Sequence, residues 1–127
     1  MSGETDLAAL LRGMRPVLDP RRFNFSTYPK MTLEEAAGHS PIAVFQEPEG
    51  MTLITEANAQ PSYAMITLMI HSSLEAIGLT AVISRALAAE GISANVVAAF
   101  YHDHIFVSDA DADRAVTVLE KLSTEAA

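Results

Sequence analysis

The stretch YAMITLMIHSSLEAIGLTAVISRALAAEGISANVVAAFYHDHIFV, residues 63–107, decides the fold of this chain. It begins with an apolar run, Tyr63–Ile70, which is typical of a central strand buried on both faces. Gly78 then precedes a segment with helical spacing, and Gly91 offers the left-handed conformation that ends helices. The apolar face of this predicted helix consists of Leu79, Val82, Ile83, Ala86 and Leu87.

The rest of the C-terminal half predicts a hairpin and a second helix. Ile92–Tyr101 is predicted as a long strand, His102–His104 as a tight reversal and Ile105–Val107 as the antiparallel partner. Ser108 or Asp109 is predicted to cap the last helix, because acidic residues follow where the helix dipole favours them. The apolar face of this helix is formed by Ala112, Ala115, Val116, Leu119 and Leu122. The order strand, helix, strand, strand, helix predicts a ferredoxin-like α+β unit that lacks its final strand.

The N-terminal half supplies further strands. Asp6 is predicted to cap a short helix that Pro16 ends, and Phe23–Thr27 alternates as a half-buried strand does. A polar stretch, residues 30–40, follows. Two segments around Glu47–Gly50 then predict a hairpin in which Gly50 adopts a positive φ.

Residues 56–62 contain Pro61 and no apolar side chain larger than alanine, so they predict a linker at which the chain passes to another unit or layer. We therefore divide the chain into residues 1–61 and residues 62–127. The first part is expected either to complete the antiparallel sheet of the second or to form an abbreviated second unit. The sequence does not choose between these alternatives.

Composition excludes several partners. The chain has 127 residues, half of them apolar, and a net charge of −8 without a basic stripe, which disfavours nucleic acid and anionic membranes. No apolar run approaches the roughly 20 residues that span a bilayer, and the acidic N-terminus does not resemble a signal peptide. With no cysteine, the chain has no disulfide framework or thiolate chemistry. We expect a cytoplasmic protein without a cofactor.

Two stretches carry a family resemblance. Residues 71–107 and the segment EPEGMTLI, residues 47–54, resemble a family of small bacterial ACT-domain proteins, and more distantly the ACT units of amino-acid-sensing regulators and aspartokinases. The resemblance implies a βαββαβ-type sandwich that regulates rather than catalyses. It also implies a homodimer in which an amino acid binds between the loop after the first strand and the second strand of a neighbouring unit.

Carried onto this sequence, the resemblance places the ligand loop at residues 71–79. The backbone at the start of the predicted helix could hold a carboxylate, since helix N-termini carry unpaired N–H groups. Hydroxyl and amide side chains could donate hydrogen bonds, and Asp103 or Glu75 could meet an ammonium group. The predicted ligand-binding residues are His71, Ser72, Ser73, Ile77, Gly78, Leu79, Thr80, Asn95, Val96 and Asp103.

Alternative chemistries have weaker support. His102 and His104, with His71 elsewhere, could bind a metal, but a fourth dedicated ligand is missing. A hydrolase would need Ser72 or Ser73 in a strand-turn-helix nucleophile motif, which the sequence lacks. We therefore predict a protein that is not an enzyme and binds a small ligand, with a ligand-free oligomerisation module as the alternative.

Overall fold

Within residues 3, 5–57 and 60–126, which a computed structural model describes, the chain folds into four α-helices and six β-strands. A 3-10 turn at Asp109–Asp111 precedes the last helix. The elements in order are α1 (Leu7–Arg12), β1 (Pro16–Tyr28), α2 (Leu33–Ala37), β2 (Ala43–Glu47), β3 (Gly50–Glu56), β4 (Tyr63–Leu68), α3 (Leu79–Ala89), β5 (Asn95–Ala98), β6 (Asp103–Ser108) and α4 (Ala112–Glu125).

The strands form one sheet in the order β2-β3-β1-β4-β6-β5, and every neighbouring pair is antiparallel. Helices α1, α3 and α4 pack on one face, which we call the helix face. Its core combines Leu10 and Met14 with residues of the helices and central strands. The short helix α2 covers Met51 and Leu53 of β3 through Ala36. The predicted α+β, ferredoxin-like fold with an antiparallel sheet is confirmed.

The missing final strand comes from the N-terminal half. β1 pairs with β4 in the place that the last strand of a ferredoxin-like unit occupies beside the first. By the same pattern, β1, α2, β2 and β3 form a shorter unit whose final strand is β4. The N-terminal half therefore completes the sheet of the C-terminal unit and also forms an abbreviated unit of its own. Both hold because each unit uses the first strand of the other as its last strand.

The N-terminal elements were predicted in part. Asp6 caps α1 through its side chain, as expected, and the hairpin joins β2 to β3. Gly50 has φ of +157°, and a Cβ there would lie 3.1 Å from the Tyr28 carbonyl oxygen. The strand predicted over Phe23–Thr27 extends back to Pro16, across an irregularity that lets it pair with β4 as well as β3.

Two predictions about residues 30–62 were incomplete or wrong. The polar stretch contains α2, whose Thr32 and Glu35 form a reciprocal capping box. The predicted linker joins β3 to β4, and both strands pair with β1 in one sheet. The chain therefore stays in one layer there, although it passes from the shorter unit to the longer one, which is the other predicted alternative; Asn58 and Ala59 of this segment lie outside the described residues. The division into residues 1–61 and 62–127 stays a prediction.

The C-terminal hairpin turns earlier than predicted. The long strand predicted over Ile92–Tyr101 is confined to β5, because Ile92 instead donates its N–H to Leu87 O at the end of α3. The reversal is not His102–His104. It is closed by the N–H of Ala99, which donates to His102 O, so Asp103 already belongs to β6.

The two helices of this half agree better with prediction. α3 begins after Gly78, and Gly91, two residues beyond its end, has φ of +73°. The last helix begins with a 3-10 turn, so neither Ser108 nor Asp109 caps α4 through its side chain. Asp109 instead accepts a hydrogen bond from the guanidinium of Arg22, which ties the start of this helix to β1.

Candidate functional site

A cleft of about 170 Å³ opens where the β4–α3 loop meets the starts of α3 and β6. It forms because β4 ends at Leu68, and the next ten residues, among which Ser72 makes an isolated β-bridge, cross to α3 outside the strands of the sheet. Six of the ten predicted ligand-binding residues line it. The lining residues are Ser72, Ser73, Leu74, Ala76, Gly78, Leu79, Thr80, Ala81, Ala98 and Asp103.

The hydroxyl of Ser72 donates a hydrogen bond of 3.2 Å to Oδ2 of Asp103 on one wall of this cleft. Ser72 is buried, with 8% of its surface exposed, and Asp103 is half-buried. Asp103 is the first residue of β6, so its backbone is fixed by pairing with Ala98 of β5. The wall therefore presents one oriented carboxylate, and among the described lining residues Asp103 alone carries a charge.

The N-terminus of α3 forms a second part of the lining. Gly78 has φ of +99°, a conformation that glycine adopts without strain, and no side chain caps the helix. The Gly78 carbonyl already accepts the first helical hydrogen bond from Val82 N–H. The first-turn residues Leu79, Thr80 and Ala81 line the same cleft as Asp103, so the cleft holds both the positive end of the helix dipole and a carboxylate.

Two predicted residues lie beside the cleft. The His71 ring packs against Phe100 at 5.9 Å and Tyr101 at 5.4 Å between centroids, outside the cleft. Ile77 is 86% exposed. Because His71 faces these rings while Ser72 bonds Asp103, the structure does not bring a histidine to the serine hydroxyl.

The remaining two predicted residues, Val96 and Asn95, do not line the cleft of their own chain. Val96 packs into the core of the helix face. Asn95 pairs with Phe106 on the other face of the sheet, where its amide approaches the Phe106 carbonyl at 3.5 Å. Leu74 and Ala76 lie in the predicted ligand loop but were not named as ligand-binding residues, and Ala81 and Ala98 were missed; their small or apolar side chains give no chemical signal. Ala81 was nevertheless predictable as a first-turn residue of the helix.

His104 follows Asp103 in β6 and points to the opposite face of the sheet, where its Nδ1 lies 2.9 Å from the Thr67 hydroxyl. Burial lowers the pKa of His104 below its ordinary value of 6.5. The neighbouring His102 lowers this pKa further, while Asp103 opposes the shift. Within the described ranges, no group of three or more acidic or histidine side chains could hold a metal ion. Nor does any described helix have the length and apolarity needed to cross a membrane.

Comparison with solved structures finds similar chains at high and at low sequence identity. A Vibrio cholerae protein of unknown function, described as a possible transport protein, is 44% identical over 87% of this chain and 89% of its own, with a TM-score of 0.79. The regulatory subunit of aspartate kinase from Thermus thermophilus is 12% identical over 87% of this chain and 98% of its own, with a TM-score of 0.63. An Agrobacterium tumefaciens protein is 13% identical over 81% and 84%, with a TM-score of 0.65. At 12% and 13% identity, the aspartate kinase subunit and the Agrobacterium tumefaciens protein are evidence for a shared fold only.

The sequence was also compared with curated proteins and with models of protein families. No curated protein matches the chain. Two family models, each described as an ACT domain, match residues 2–67 and residues 60–121. The two matches overlap in residues 60–67, which include most of β4, the strand that both ferredoxin-like units use. The chain therefore belongs to the ACT-domain family, as the resemblance in its sequence predicted.

Proposed function

We propose that this chain is a regulatory module that binds a small, neutral amino acid in the cleft between Asp103 and the start of α3. Membership of the ACT family supports a regulatory, small-ligand-binding role. The observation that carries the finer proposal is the pairing of an oriented carboxylate with an uncapped helix N-terminus across one small cleft. These two walls match the opposite charges of a zwitterion.

The ligand's carboxylate would lie against the first turn of α3. The N–H groups there have no partner within the helix, and the dipole favours negative charge by roughly 0.3–1 kcal/mol. Gly78 carries no side chain that would compete for these N–H groups. The hydroxyl of Thr80, which is exposed at the cleft, adds a neutral donor.

The ligand's ammonium group would meet Asp103. Ser72 holds one carboxylate oxygen, which orients the group and leaves the other oxygen for the ligand. A hydrogen bond between two charged groups is worth about 1.5–3 kcal/mol when it is shielded from water. No lysine, arginine or histidine among the described lining residues competes for Asp103.

The size and chemistry of the cleft suggest which side chains it accepts. Its volume of about 170 Å³ is below the roughly 300–1,000 Å³ of sites for drug-sized ligands. Ala76, Ala81 and Ala98 contribute only methyl groups. Since no cation is available for a second carboxylate, we expect alanine, serine or threonine to bind better than aspartate, glutamate or aromatic amino acids.

Thermal denaturation with the standard amino acids at millimolar concentration tests this proposal. A ligand that binds only the folded state raises the melting temperature by mass action. We expect small neutral amino acids to give the largest shift, and Asp103→Asn to abolish it. Glu120→Gln, which removes an exposed carboxylate from α4, should leave the shift unchanged. No shift with any amino acid would refute the proposal.

The rival function is a ligand-free interaction module in which the same loop forms an interface. The exposed apolar side chains near the loop favour it, since Leu74 is 67%, Ile77 86% and Tyr101 63% exposed. Sedimentation separates the two functions. Gly78→Ala should lower stability under both hypotheses, because the φ of Gly78 is +99°. Under the first hypothesis it should also abolish a ligand-induced shift, whereas under the second it should change self-association and there is no such shift to lose.

Three further expectations belong to this proposal. A neighbouring copy could complete the cleft with Asn95 and Val96, which do not reach it within their own chain. Asn95→Ala would then weaken ligand binding, and an unchanged affinity would confine the ligand to one chain.

We also propose a non-catalytic module and a cytoplasmic location. The first fits the regulatory nature of ACT domains, and the second fits the net charge of −8 and the lack of cysteine.

A further inference from the structure

Helix α1 belongs to neither of the two ferredoxin-like units. The shorter unit begins with β1 and the longer one with β4, and α1 precedes both. The helix is nevertheless held in place. Its Leu10 is fully buried in the core of the helix face, and its last residue is tied to α4, where the Ser123 hydroxyl donates to Arg12 O at 2.9 Å. α1 is therefore a fixed support for the residues that pack beside it.

The first residues of the β4–α3 loop contact the chain just after α1. Met69 donates its N–H to Met14 O, at 2.9 Å, and to Arg15 O, at 3.2 Å. The next residue, Ile70, packs so closely on Gly13 that a Cβ at residue 13 would lie 2.8 Å from Ile70 Cδ1. The loop therefore leaves the sheet in contact with the end of α1.

The part of the loop that reaches the cleft is contacted by Gly3, before α1. A Cβ at residue 3 would lie 2.5 Å from His71 O, 2.6 Å from Ser72 C and 2.7 Å from Ser73 N. Only glycine allows so close an approach to backbone atoms. Gly3 does not line the cleft. It lines a second cavity, of about 260 Å³, which shares Ser72, Ser73 and Leu74 with the cleft.

The far end of the loop is contacted by α1 itself. A Cβ at Gly78 would lie 3.3 Å from Leu7 Cδ2, so Leu7 packs against the residue that immediately precedes α3. Leu7 and Ala76 of the loop also pack against the same core. Gly3 and Leu7, which we call the N-terminal brace, thus contact the loop near Ser72 and at Gly78.

We propose that Gly3 and Leu7 are positioning residues for the ligand, because they hold Ser72 and Gly78 in the arrangement that forms the cleft. Neither residue of the brace lines the cleft, so both act through the loop. Docking of the brace and binding of the ligand require the same loop arrangement, and each therefore stabilises the other. The effect on affinity rests on the proposed function, whereas the effect on the loop needs no ligand.

Amide hydrogen exchange, followed by NMR without ligand, tests the effect on the loop. In Gly3→Ala, the Ala76 amide, which donates to Ser73 O, should lose most of its protection and exchange at least about tenfold faster. The amide of Leu119, which is fully buried in α4, should keep its rate, since only a general loss of stability would accelerate both. Gly38→Ala is the matched control, because the nearest atom to a Cβ there is Glu35 O, at 3.3 Å, in the shorter unit.

Calorimetric titration with L-alanine, L-serine and L-threonine tests the effect on the ligand. Gly3→Ala should raise the Kd of the amino acids that bind the unmodified chain about two- to fivefold, because a smaller fraction of the chain holds the loop in the binding arrangement. Leu7→Ala should do the same, and Leu7→Met, which keeps an apolar contact for Gly78, should restore most of the affinity. Gly38→Ala should bind as the unmodified chain does.

The two measurements separate this inference from the proposed function. An unchanged rate at Ala76 in Gly3→Ala would overturn the inference, and so would equal acceleration at Ala76 and Leu119. Faster exchange at Ala76 with unchanged affinity would show that the brace holds the loop without positioning the ligand, which also rejects the inference. If no amino acid binds the unmodified chain, the proposed function fails, while faster exchange confined to the loop would still support the brace.

Discussion

Ser72 donates a hydrogen bond to Asp103 across 31 residues of sequence, and this contact joins the loop after β4 to the first residue of β6. Elsewhere the loop is held by the N–H of Met69, which donates to Met14 O, and by short-range bonds, such as that from Ala76 N–H to Ser73 O. Since Ser72 is buried, its hydroxyl depends on Asp103 for a partner. The contact therefore orients the carboxylate and fixes one wall of the cleft.

Ser72→Ala should weaken ligand binding more than it weakens the fold. Loss of the hydrogen bond is expected to cost about 1 kcal/mol of unfolding free energy. The freed carboxylate can rotate, so the affinity for a small neutral amino acid should fall on the order of tenfold in calorimetry. Ser84→Ala in α3, away from the cleft, serves as the control. Equal affinities for Ser72→Ala and the unmodified chain would mean that Ser72 does not orient Asp103 for the ligand.

The ion pair between Arg22 and Asp109 should contribute to the stability of the interlocked units. It joins β1 to the start of α4 across 87 residues of sequence. Arg22 also donates to the carbonyl oxygens of Asp19 and Arg21, at 3.1 Å each, where β1 is irregular. Because both side chains are about one-third exposed, we expect Arg22→Ala to cost about 1 kcal/mol rather than the value of a buried pair.

A double-mutant cycle isolates this contact. Urea denaturation of Arg22→Ala, Asp109→Asn and the double variant should show a coupling energy of about 0.5–1 kcal/mol. Additive effects of the two substitutions would show that the pair itself contributes nothing. The remaining loss for Arg22→Ala would then come from its bonds to the backbone of β1.

Stability should fall as the pH drops below about 6.5, through His104. Its pKa is lowered in the folded state by burial, so the unfolded chain binds the proton more readily. The contribution of neutral His104 is therefore fully present above pH 6.5 and is lost as the pH falls through the folded-state pKa. Thr67, His102 and Asp103 are the polar groups in contact with it or acting on its charge.

Thermal melts of His104→Gln between about pH 5 and pH 8 check this assignment. The variant should lose part of the pH dependence in this range, whereas His39→Gln, on the exposed segment after α2, should retain it. If the two variants show the same pH profile, His104 is not the group that links protonation to folding.

Helices and turns were predicted correctly where several residues within one segment indicated the same structure. α3 was predicted closely because Gly78, Gly91 and the apolar spacing between them all lie within one segment. The turn at Ala99–His102 was missed because Phe100 and Tyr101 extend an apolar run that is typical of a strand, although both are exposed. α2 was missed because five residues are too few for apolar periodicity, and only Thr32 and Glu35 indicated its start.

The strand order and the position of the cleft could not be predicted, because both depend on pairing between strands that are far apart in sequence. No local pattern reports that β1 lies between β3 and β4, since that order depends on contacts between strands far apart in sequence. The loop and Asp103 could be named as candidates from residue chemistry. Their meeting in one cleft, and the position of Asn95 on the opposite face of the sheet, required the sheet register.

The two units of the sheet should differ in ligand binding, with one ligand bound per chain. In the shorter unit, α2 corresponds to α3 by topology, and Gly50 at the start of β3 corresponds to Asp103 at the start of β6. There the carboxylate of Glu35 accepts the N–H of Thr32 at 2.9 Å, so an acidic side chain of the chain itself already lies at the start of this helix. Gly50 also lies so close to Pro29 that a Cβ would approach its Cα to 3.1 Å, so the backbone itself occupies the space beside this position.

Calorimetric titration measures this stoichiometry directly. We expect one amino acid per chain, no binding by Asp103→Asn, and an unchanged stoichiometry for Thr32→Ala. Thr32→Ala should lower the unfolding free energy by about 1 kcal/mol, because it removes a helix cap without touching the cleft. A second ligand per chain would contradict the prediction, since it would require the shorter unit to open a cleft that its own Glu35 and Gly50 close.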